Sequence, residues 1–290
     1  MRPTPPPRLS LVRAEHAPIA VIFRRGPSKR VEVIKWNLTS DVFERGHWFH
    51  GRIYEKRSHL SPDGELLVYF ASKFTRHSIA DDEYTYAWTA VSRAPWLTAL
   101  ALWPKGDCWH GGGIFLAKRT LWLNHKPEVA TPHPSHRPIG LRVVENPGAC
   151  GEDEPVYRQR LDRDGWVLRQ EWSTEWQGLS RGFRTVQPDV RVKHQQPGTD
   201  SIAIVLQRRI DNLSYREHFR VDGASSEPEL PPGPLDWLDW DSRGRLIALS
   251  GGRVWAAAAV ERQVQRFTEL IDLRDDRPEE REPPASARIW

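Results

Sequence analysis

Short apolar runs separated by turn residues recur along almost the whole chain, while helical periodicity is nearly absent. The clearest case is Ser61–Gly64, followed by the apolar run Leu66–Phe70. In such a turn Pro62 presets one backbone angle, and Gly64 supplies the positive φ that sends the chain back. An apolar run after a turn is typical of a buried strand. The sequence therefore predicts an all-β protein with roughly twenty short strands.

Turns of this kind recur at long intervals. Asp162–Gly165 precedes Trp166–Leu168, and Asp241–Gly244 precedes Arg245–Leu249. Strand-entering turns are centred on five glycines, separated by 49, 52, 33 and 46 residues: Gly64, Gly113, Gly165, Gly198 and Gly244. These gaps are close to the length of a propeller blade, a small sheet that buries its faces only by stacking on its neighbours. The spacing predicts a β-propeller of five four-stranded blades.

The segment Ser61–Phe70 resembles blades of TolB-like and WD40-type propellers, in which a polar turn and a glycine precede an apolar strand. The Trp-Asp dipeptide typical of WD40 blades stands at Trp240–Asp241, although before a turn and without a Gly-His partner. The resemblance covers short windows and implies a propeller fold with surfaces suited to holding partners. A pair of β-sandwiches or a large barrel remains an alternative, since both give short strands at similar spacing.

Proline-rich stretches mark the expected boundaries. Residues 1–16 are predicted to be a disordered lead and residues 17–290 a single propeller domain, with long loops at about 125–154 and 222–234. Val156–Leu161 is expected to be a strand, and a strand is favoured over a helix in Trp255–Phe267. The last residues, Ile289 and Trp290, either pack on the first sheet or form a frayed tail.

Composition and charge indicate the source, the partners and the compartment to expect for this protein. The chain has 14 Trp, 34 Arg and only eight Lys, and 42 basic residues oppose 38 acidic ones. The arginine bias is typical of a GC-rich bacterial genome; the alternative, phosphate recognition, is opposed by the interspersed carboxylates. The basic pairs Arg24-Arg25 and Arg208-Arg209 are scattered, which argues against nucleic-acid binding. With no secretory h-region and no apolar stretch long enough to span a membrane, a cytoplasmic protein is expected.

Candidate metal ligands are Cys108, His110, His133 and His136, with His125 and Cys150 nearby in sequence. Their Cys-x-His and His-x-x-His spacings do not match a zinc finger or ribbon. Solvated histidines and a packed thiol explain them better, so no metal and no cofactor are predicted. Cys108 as a nucleophile activated by His110 is a further alternative.

A carbohydrate-directed enzyme is the alternative function, because glycoside hydrolysis needs two facing carboxyl groups and tryptophan is a usual sugar platform. The turn and strand aspartates that could form such a pair in a propeller channel are Asp63, Asp107, Asp164, Asp239 and Asp241. Aspartates in turns more often bond to their own backbone. The sequence leaves this alternative open.

The leading prediction is a non-catalytic protein-interaction module of bacterial β-propeller type. The predicted binding residues are Trp103, Trp109, His110 and Arg93, because Trp and Arg are favoured anchors of interfaces. Gly111–Gly113 would allow close backbone approach. A protein partner is expected, and the oligomeric state is left open.

Overall fold

The structure is a computed structural model that describes residues 5–26, 29–145, 152–178, 182–196, 201–211 and 214–290. The chain groups into two compact units, Met1–Arg160 with Gly251–Arg253 and Asp272–Trp290, and Leu161–Ser250 with Val254–Ile271. The single domain predicted over residues 17–290 stays a prediction.

Three sheets form the first unit. The first is an antiparallel meander of β1 (Arg8–Arg13), β2 (Ile19–Arg25), β3 (Arg30–Asn37) and β4 (Val42–His50). The second is a meander of β5 (Arg52–Leu60), β6 (Leu66–Ser72), β7 (Ala87–Arg93) and β8 (Ala101–Pro104), with the short helix α1 (Arg76–Ile79) between β6 and β7. The third contains β9 (Gly113–Ala117), β10 (Thr120–Leu123) and β11 (Arg142–Glu145), of which β11 runs parallel to β10. A 3-10 turn (Pro127–Val129) follows β10.

The disordered lead predicted for residues 1–16 is wrong for residues 8–13, which form β1 and pair with β2 along its whole length. The prolines before this segment drew attention away from its apolar residues. Leu9, Leu11 and Val12 are buried, and burial of these side chains offsets the entropy lost on ordering the strand. Residues 1–4 lie outside the described part of the chain.

Strand β6 is the centre of the first unit, since all of its residues are buried. Its side chains alternate between two hydrophobic clusters, as the period of a strand requires. Leu67 and Tyr69 belong to a cluster that includes Phe23 and Val33 of the first sheet. Leu66 and Val68 belong to a cluster with residues of the third sheet. The second sheet is therefore covered on both faces, which explains the continuous apolar run of the sequence.

The turn before β6 forms as predicted. The Gly64 N–H donates to the Ser61 carbonyl, and the Asp63 carboxylate accepts from the Ser61 hydroxyl and from the Glu65 N–H. Burial opposes ionisation of Asp63, but hydrogen bonds from Lys118 and Ser61 outweigh it and lower the pKa of this carboxyl. Asp63 is thus a turn-forming residue.

The predicted strand Val156–Leu161 is wrong, because helix α2 (Glu154–Arg163) occupies this segment. Val156, Tyr157, Arg160 and Leu161 are buried, which is the i, i+1, i+4, i+5 spacing of one helical face. Glu154 and Pro155 suit a first helical turn, where an acidic side chain faces the positive end of the helix and the missing N–H of proline costs nothing.

The second unit contains a six-stranded sheet and most of a four-stranded sheet. The larger sheet consists of β12 (Val167–Gln170), β13 (Ser173–Trp176), β14 (Phe183–Gln187), β15 (Asp189–His194), β16 (Ala203–Asp211) and β17 (Ser214–Asp222). Its order is β12-β15-β16-β14-β13, and β17 also pairs with β16. The smaller sheet has the order β18 (Leu235–Trp240), β19 (Leu246–Ser250), β20 (Arg253–Ala257) and β23 (Thr268–Asp272). The hairpin of β21 (Ala259–Val260) and β22 (Gln263–Val264) connects β20 to β23. The preference for strand over helix in Trp255–Phe267 is therefore confirmed.

The fold class is an all-β, five-bladed β-propeller, which confirms the fold prediction. The predicted four strands in every blade hold for three of the five main sheets, whereas the third sheet has three strands and the fourth has six. Residues around Gly198, the turn at the anomalous 33-residue gap, lie outside the described part of the chain.

The C-terminal segment returns to the first unit, where it ends in a 3-10 turn (Ala285–Arg288). Buried Glu32 on β3 accepts from Arg281 at 3.2 Å, and the His47 ring on β4 donates from Nε2 to the Arg281 carbonyl at 3.1 Å. Trp290 packs against the cluster between the second and third sheets, while the Ile289 side chain is exposed. The last tryptophan therefore docks, although not on the first sheet.

Among the helices of the described residues, none has both the length and the apolar character needed to cross a membrane.

Candidate functional site

Two loops meet at one end of the second sheet. Because the sheet is antiparallel, the end of β6, the start of β7 and the end of β8 lie together, as the pairs Ser72–Ala87 and Trp88–Pro104 show. The loop between β6 and β7 spans residues 73–86, and the loop between β8 and β9 spans residues 105–112. The Thr85 hydroxyl joins them, since its oxygen accepts from the N–H groups of Lys105 and Gly106, both at 3.2 Å.

These two loops expose large apolar side chains. Trp109 is 63% exposed, and Phe74 and Ile79 are each 59% exposed. The Phe74 ring lies 5.0 Å from the half-buried ring of Tyr86, measured between centroids. We call Phe74, Ile79, Tyr86 and Trp109 the aromatic loop surface. Large exposed apolar groups on two loops that meet mark interaction sites more often than scattered single residues do.

Arg57 holds the backbone on both sides of Trp109. Its side chain is 3% exposed. One terminal nitrogen donates to the carbonyls of Cys108 and His110, each at 2.8 Å, and Nε donates to Asp153 at 2.7 Å. The guanidinium also lies 4.6 Å from the ring centroid of Tyr54. A planar group with several fixed donors can serve three acceptors at once, which a lysine ammonium does less well.

The start of the same loop is fixed by Asp107. Its carboxylate accepts from the Trp109 N–H at 2.8 Å and from the Lys105 ammonium at 2.6 Å. Burial opposes ionisation of Asp107, but the bonds from Lys105 and Trp109 outweigh it and lower the pKa of this carboxyl. The Trp109 backbone is thus restrained from both directions while its indole faces solvent, so the tryptophan is preorganised for contact.

The glycines after Trp109 serve internal packing. A Cβ on Gly111 would lie 2.2 Å from the Phe70 ring, and one on Gly112 would lie 2.0 Å from the Arg57 carbonyl oxygen. Both residues have positive φ, +114° and +78°, which favours glycine. The close approach expected for Gly111–Gly113 is therefore made by the chain itself.

A buried histidine supports the loop from beneath. The Thr89 hydroxyl lies 2.8 Å from Nε2 of His125 and accepts from the Gly112 N–H at 2.8 Å, while Nδ1 of His125 lies 3.1 Å from the Val129 carbonyl. This pattern places the ring proton on Nδ1 and makes Nε2 an acceptor. Burial lowers the pKa of His125 to about 4. The ring is neutral at physiological pH, and the network is fully paired.

The predicted binding residues occupy different environments. Trp109 is exposed on the loop surface, but Trp103 is 1% exposed in the cluster between the second and third sheets, so its assignment as a binding residue is wrong. His110 is also buried; burial lowers the pKa of its ring, and the charge of Lys105 lowers it further. Arg93 donates from Nε to the Ile289 carbonyl at 3.1 Å, which ties the C-terminal segment down. Of the four, Trp109 alone presents its side chain to solvent at this surface.

The candidate metal ligands do not converge. His133 donates from Nε2 to Glu83 at 2.9 Å and accepts from the Ser135 N–H at Nδ1, so both of its ring nitrogens are engaged. His136 lies 5.4 Å from the His133 ring but donates to the Ala99 carbonyl. Cys108 is a free, half-buried cysteine. Within the described residues, no three Cys, His, Asp or Glu side chains are grouped as a metal site would require. Cys150 lies outside the described residues.

One arginine of each basic pair and four of the five candidate aspartates make contacts within the fold, whereas Arg209 is exposed. Arg24 donates to the Leu273 carbonyl at 3.0 Å, and Arg208 pairs with Asp189 at 3.0 Å in the interior of the second unit. Asp239 pairs with the Lys193 ammonium, and Asp241 accepts from the backbone of its own turn. These side chains make hydrogen bonds and ion pairs that stabilise the fold, as Asp63 does in its turn.

Sequence reasoning missed Arg57, Phe74, Ile79 and Tyr86. Arg57 lies on β5 between residues of both polarities, and nothing in its neighbours marks it as buried. Phe74 precedes a short helix that Ile79 ends, and Thr75 caps the N-terminus of this helix, a signal that the Thr-x-x-Ser pattern carries. Which loops share the end of a sheet follows from strand pairing, which local sequence does not specify.

The class of protein defined by the fold is a five-bladed β-propeller. Comparison with protein-family models, with characterised proteins and with solved structures found no match to this chain.

Proposed function

We propose that this β-propeller is a non-catalytic interaction module that binds a protein partner through the aromatic loop surface. The observation that supports it is the exposed Trp109 indole on a backbone restrained by Arg57 and Asp107. Large aromatic side chains are the commonest interface anchors, and a rigid one loses little conformational entropy on binding. The bacterial cytoplasm is the setting that we propose for it, as the sequence predicts.

The charged groups near Trp109 favour a protein partner over an acidic polymer. Lys105 and Asp107 neutralise one another, and the loop between β6 and β7 exposes basic residues (Lys73, Arg76) as well as acidic ones (Asp82, Glu83) beside the apolar side chains. A mixed surface with an apolar centre is typical of the core and rim of a protein interface. The carbohydrate-directed alternative stays a prediction, and no contact among the described residues favours it.

The test compares partner binding by the wild type, Trp109→Ala and a matched control, Trp176→Ala. Trp176 is 51% exposed on β13 and lies outside the aromatic loop surface. Proteins cross-linked to the chain in its native host are identified, and the strongest partner is purified and titrated by calorimetry. We expect W109A to weaken binding by at least about 30-fold, the effect of losing a hot spot worth ~2 kcal/mol.

We expect W176A to bind like the wild type. Equal affinity of W109A and wild type would refute the proposal, as would equal loss in both variants. Urea unfolding of each variant shows that the change in binding does not reflect loss of the fold.

A further inference from the structure

The loop between β17 and β18 in the second unit is tied down at both ends. The Ser225 N–H donates to the Arg262 carbonyl at 2.7 Å, and the Arg262 side chain donates to the Gly223 carbonyl at 2.7 Å. At the other end, the Ser250 hydroxyl lies 3.0 Å from the Pro232 carbonyl. Residues 226–230 between these anchors make no hydrogen bond or ion pair with any described residue. The middle of the loop is held in position only by its ends and by packing.

A groove lies beside this middle segment. It encloses about 770 Å³, within the range of roughly 300–1,000 Å³ of ligand-binding clefts. One wall is the loop segment Ser226–Pro232, and the other is Val264–Phe267 together with Trp255. A second hollow of about 450 Å³ is lined by Phe219–Asp222 and by several of the same loop residues. The loop segment thus contributes to the lining of two hollows.

The groove has an aromatic and proline-rich lining. Trp255, Phe267 and Leu230 are each half-buried, and Pro228, Pro231 and Pro232 complete the apolar part. Trp255 is oriented by its indole N–H, which lies 3.4 Å from the Ser250 carbonyl. Aromatic grooves of this kind bind extended proline-containing segments, which have a preformed conformation and lose little entropy on binding.

The charged residues that line the groove indicate a basic partner. Glu227 and Glu229 are exposed carboxylates with no ion pair among the described residues, and Arg266 is the sole basic residue of the lining. The groove is therefore net acidic. Complementarity of charge across an interface determines which partners associate and how fast.

We propose that this groove binds an extended, proline-containing basic segment of a partner protein. The prolines of the segment pack on Trp255 and Phe267, and its Arg or Lys side chains pair with Glu227 and Glu229. The groove shares no residue with the aromatic loop surface, so this binding is independent of the function proposed above.

The experiment is a selection of random 12-residue peptides displayed on phage against the immobilised full chain. We expect the enriched peptides to combine proline with Arg or Lys. One of them, synthesised with a fluorescent label, is titrated by anisotropy with the wild type and with the double variant Glu227→Lys, Glu229→Lys. Two favourable pairs become two repulsions, so we expect the affinity to fall by about 10-fold or more at low salt.

The matched control is Glu280→Lys, Glu282→Lys, which makes the same change of net charge at exposed positions of the C-terminal segment. This control is expected to bind the peptide like the wild type. No enrichment, enrichment of peptides without basic residues, or equal loss in both double variants would overturn the proposal. Loss of peptide binding in W109A would also overturn it, because the peptide would then occupy the aromatic loop surface.

Discussion

Replacing Arg57 by methionine tests whether this buried side chain holds Trp109 in place. Methionine keeps much of the apolar stem and removes the three hydrogen bonds to Cys108, His110 and Asp153. Nothing else in the loop changes, and the Trp109 indole remains. The variant therefore separates the presence of the tryptophan from its restraint.

The expected cost follows from the contacts. Hydrogen bonds to a charged group contribute roughly 1.5–3 kcal/mol each, and the two carbonyls served by Arg57 lose theirs. The Asp153 side chain is partly exposed and recovers solvation from water, so its loss adds less. Packing of the new thioether against Phe70 offsets part of the total. We expect the free energy of unfolding to fall by about 3–5 kcal/mol, the loss of two hydrogen bonds to a charged group less the packing gained.

Two measurements test this. Urea unfolding gives the free energy of R57M, R57K and the wild type, and hydrogen exchange reports protection of the Gly111 and Gly112 amides, which donate to Asn124 and Thr89. We expect R57M to lose this protection and, with it, the partner affinity that depends on Trp109. R57K should be intermediate, because a lysine retains the charge but not the planar set of donors.

The matched control is Arg169→Met at an exposed position of β12, where a change below about 0.5 kcal/mol is expected. If R57M were within 1 kcal/mol of the wild type, with Gly111 and Gly112 still protected, the claim that Arg57 organises this loop would be refuted.

Three further predictions concern pH and the C-terminus. Burial raises the pKa of Glu32 above its usual 4.5, despite the nearby charges of Arg45 and Arg281. The stabilising contribution of Glu32 is therefore complete below pH 4.5 and is lost as pH rises. The free energy of unfolding of the wild type relative to Glu32→Gln should fall between about pH 4 and 7, and a constant difference would contradict this. The pKa of His125 is lowered from 6.5 to about 4. Its contribution to the free energy of unfolding is therefore complete above pH 6.5 and is lost as pH falls towards 4, by at most about 1.4 kcal/mol per pH unit. This acid-dependent loss, measured by urea unfolding, should be absent from His125→Gln. Deleting residues 285–290 removes Trp290 from its cluster and should lower the melting temperature by at least about 4 °C, whereas an unchanged temperature would show that the docking contributes nothing.

Asp63 and helix α2 show what local sequence can and cannot predict. Asp63 was predicted to be a turn former because Ser-Pro-Asp-Gly precedes an apolar run, and its bonds with Ser61 and Glu65 lie within that turn. Its ion pair with Lys118 comes from a distant part of the chain and could not be predicted locally. Helix α2 shows the limit, since a short run such as Val156–Leu161 fits a strand and a helix equally well by hydrophobicity alone. Its 3.6-residue face is recognisable only when Arg160 is known to be buried, where it donates to the Glu55 and Ser58 carbonyls about a hundred residues away in sequence.

The all-β class could be predicted from the residues alone, because strand alternation and turn chemistry depend on neighbours in the chain. The recurrence of strand-entering turns favoured a propeller over a pair of sandwiches or a barrel. The sequence also pointed to the loop that carries Trp109. The tertiary structure decided which tryptophan is available, burying Trp103 and exposing Trp109. Burial depends on which sheet packs against a strand and on distant partners such as Arg57, and neither is encoded in a local window.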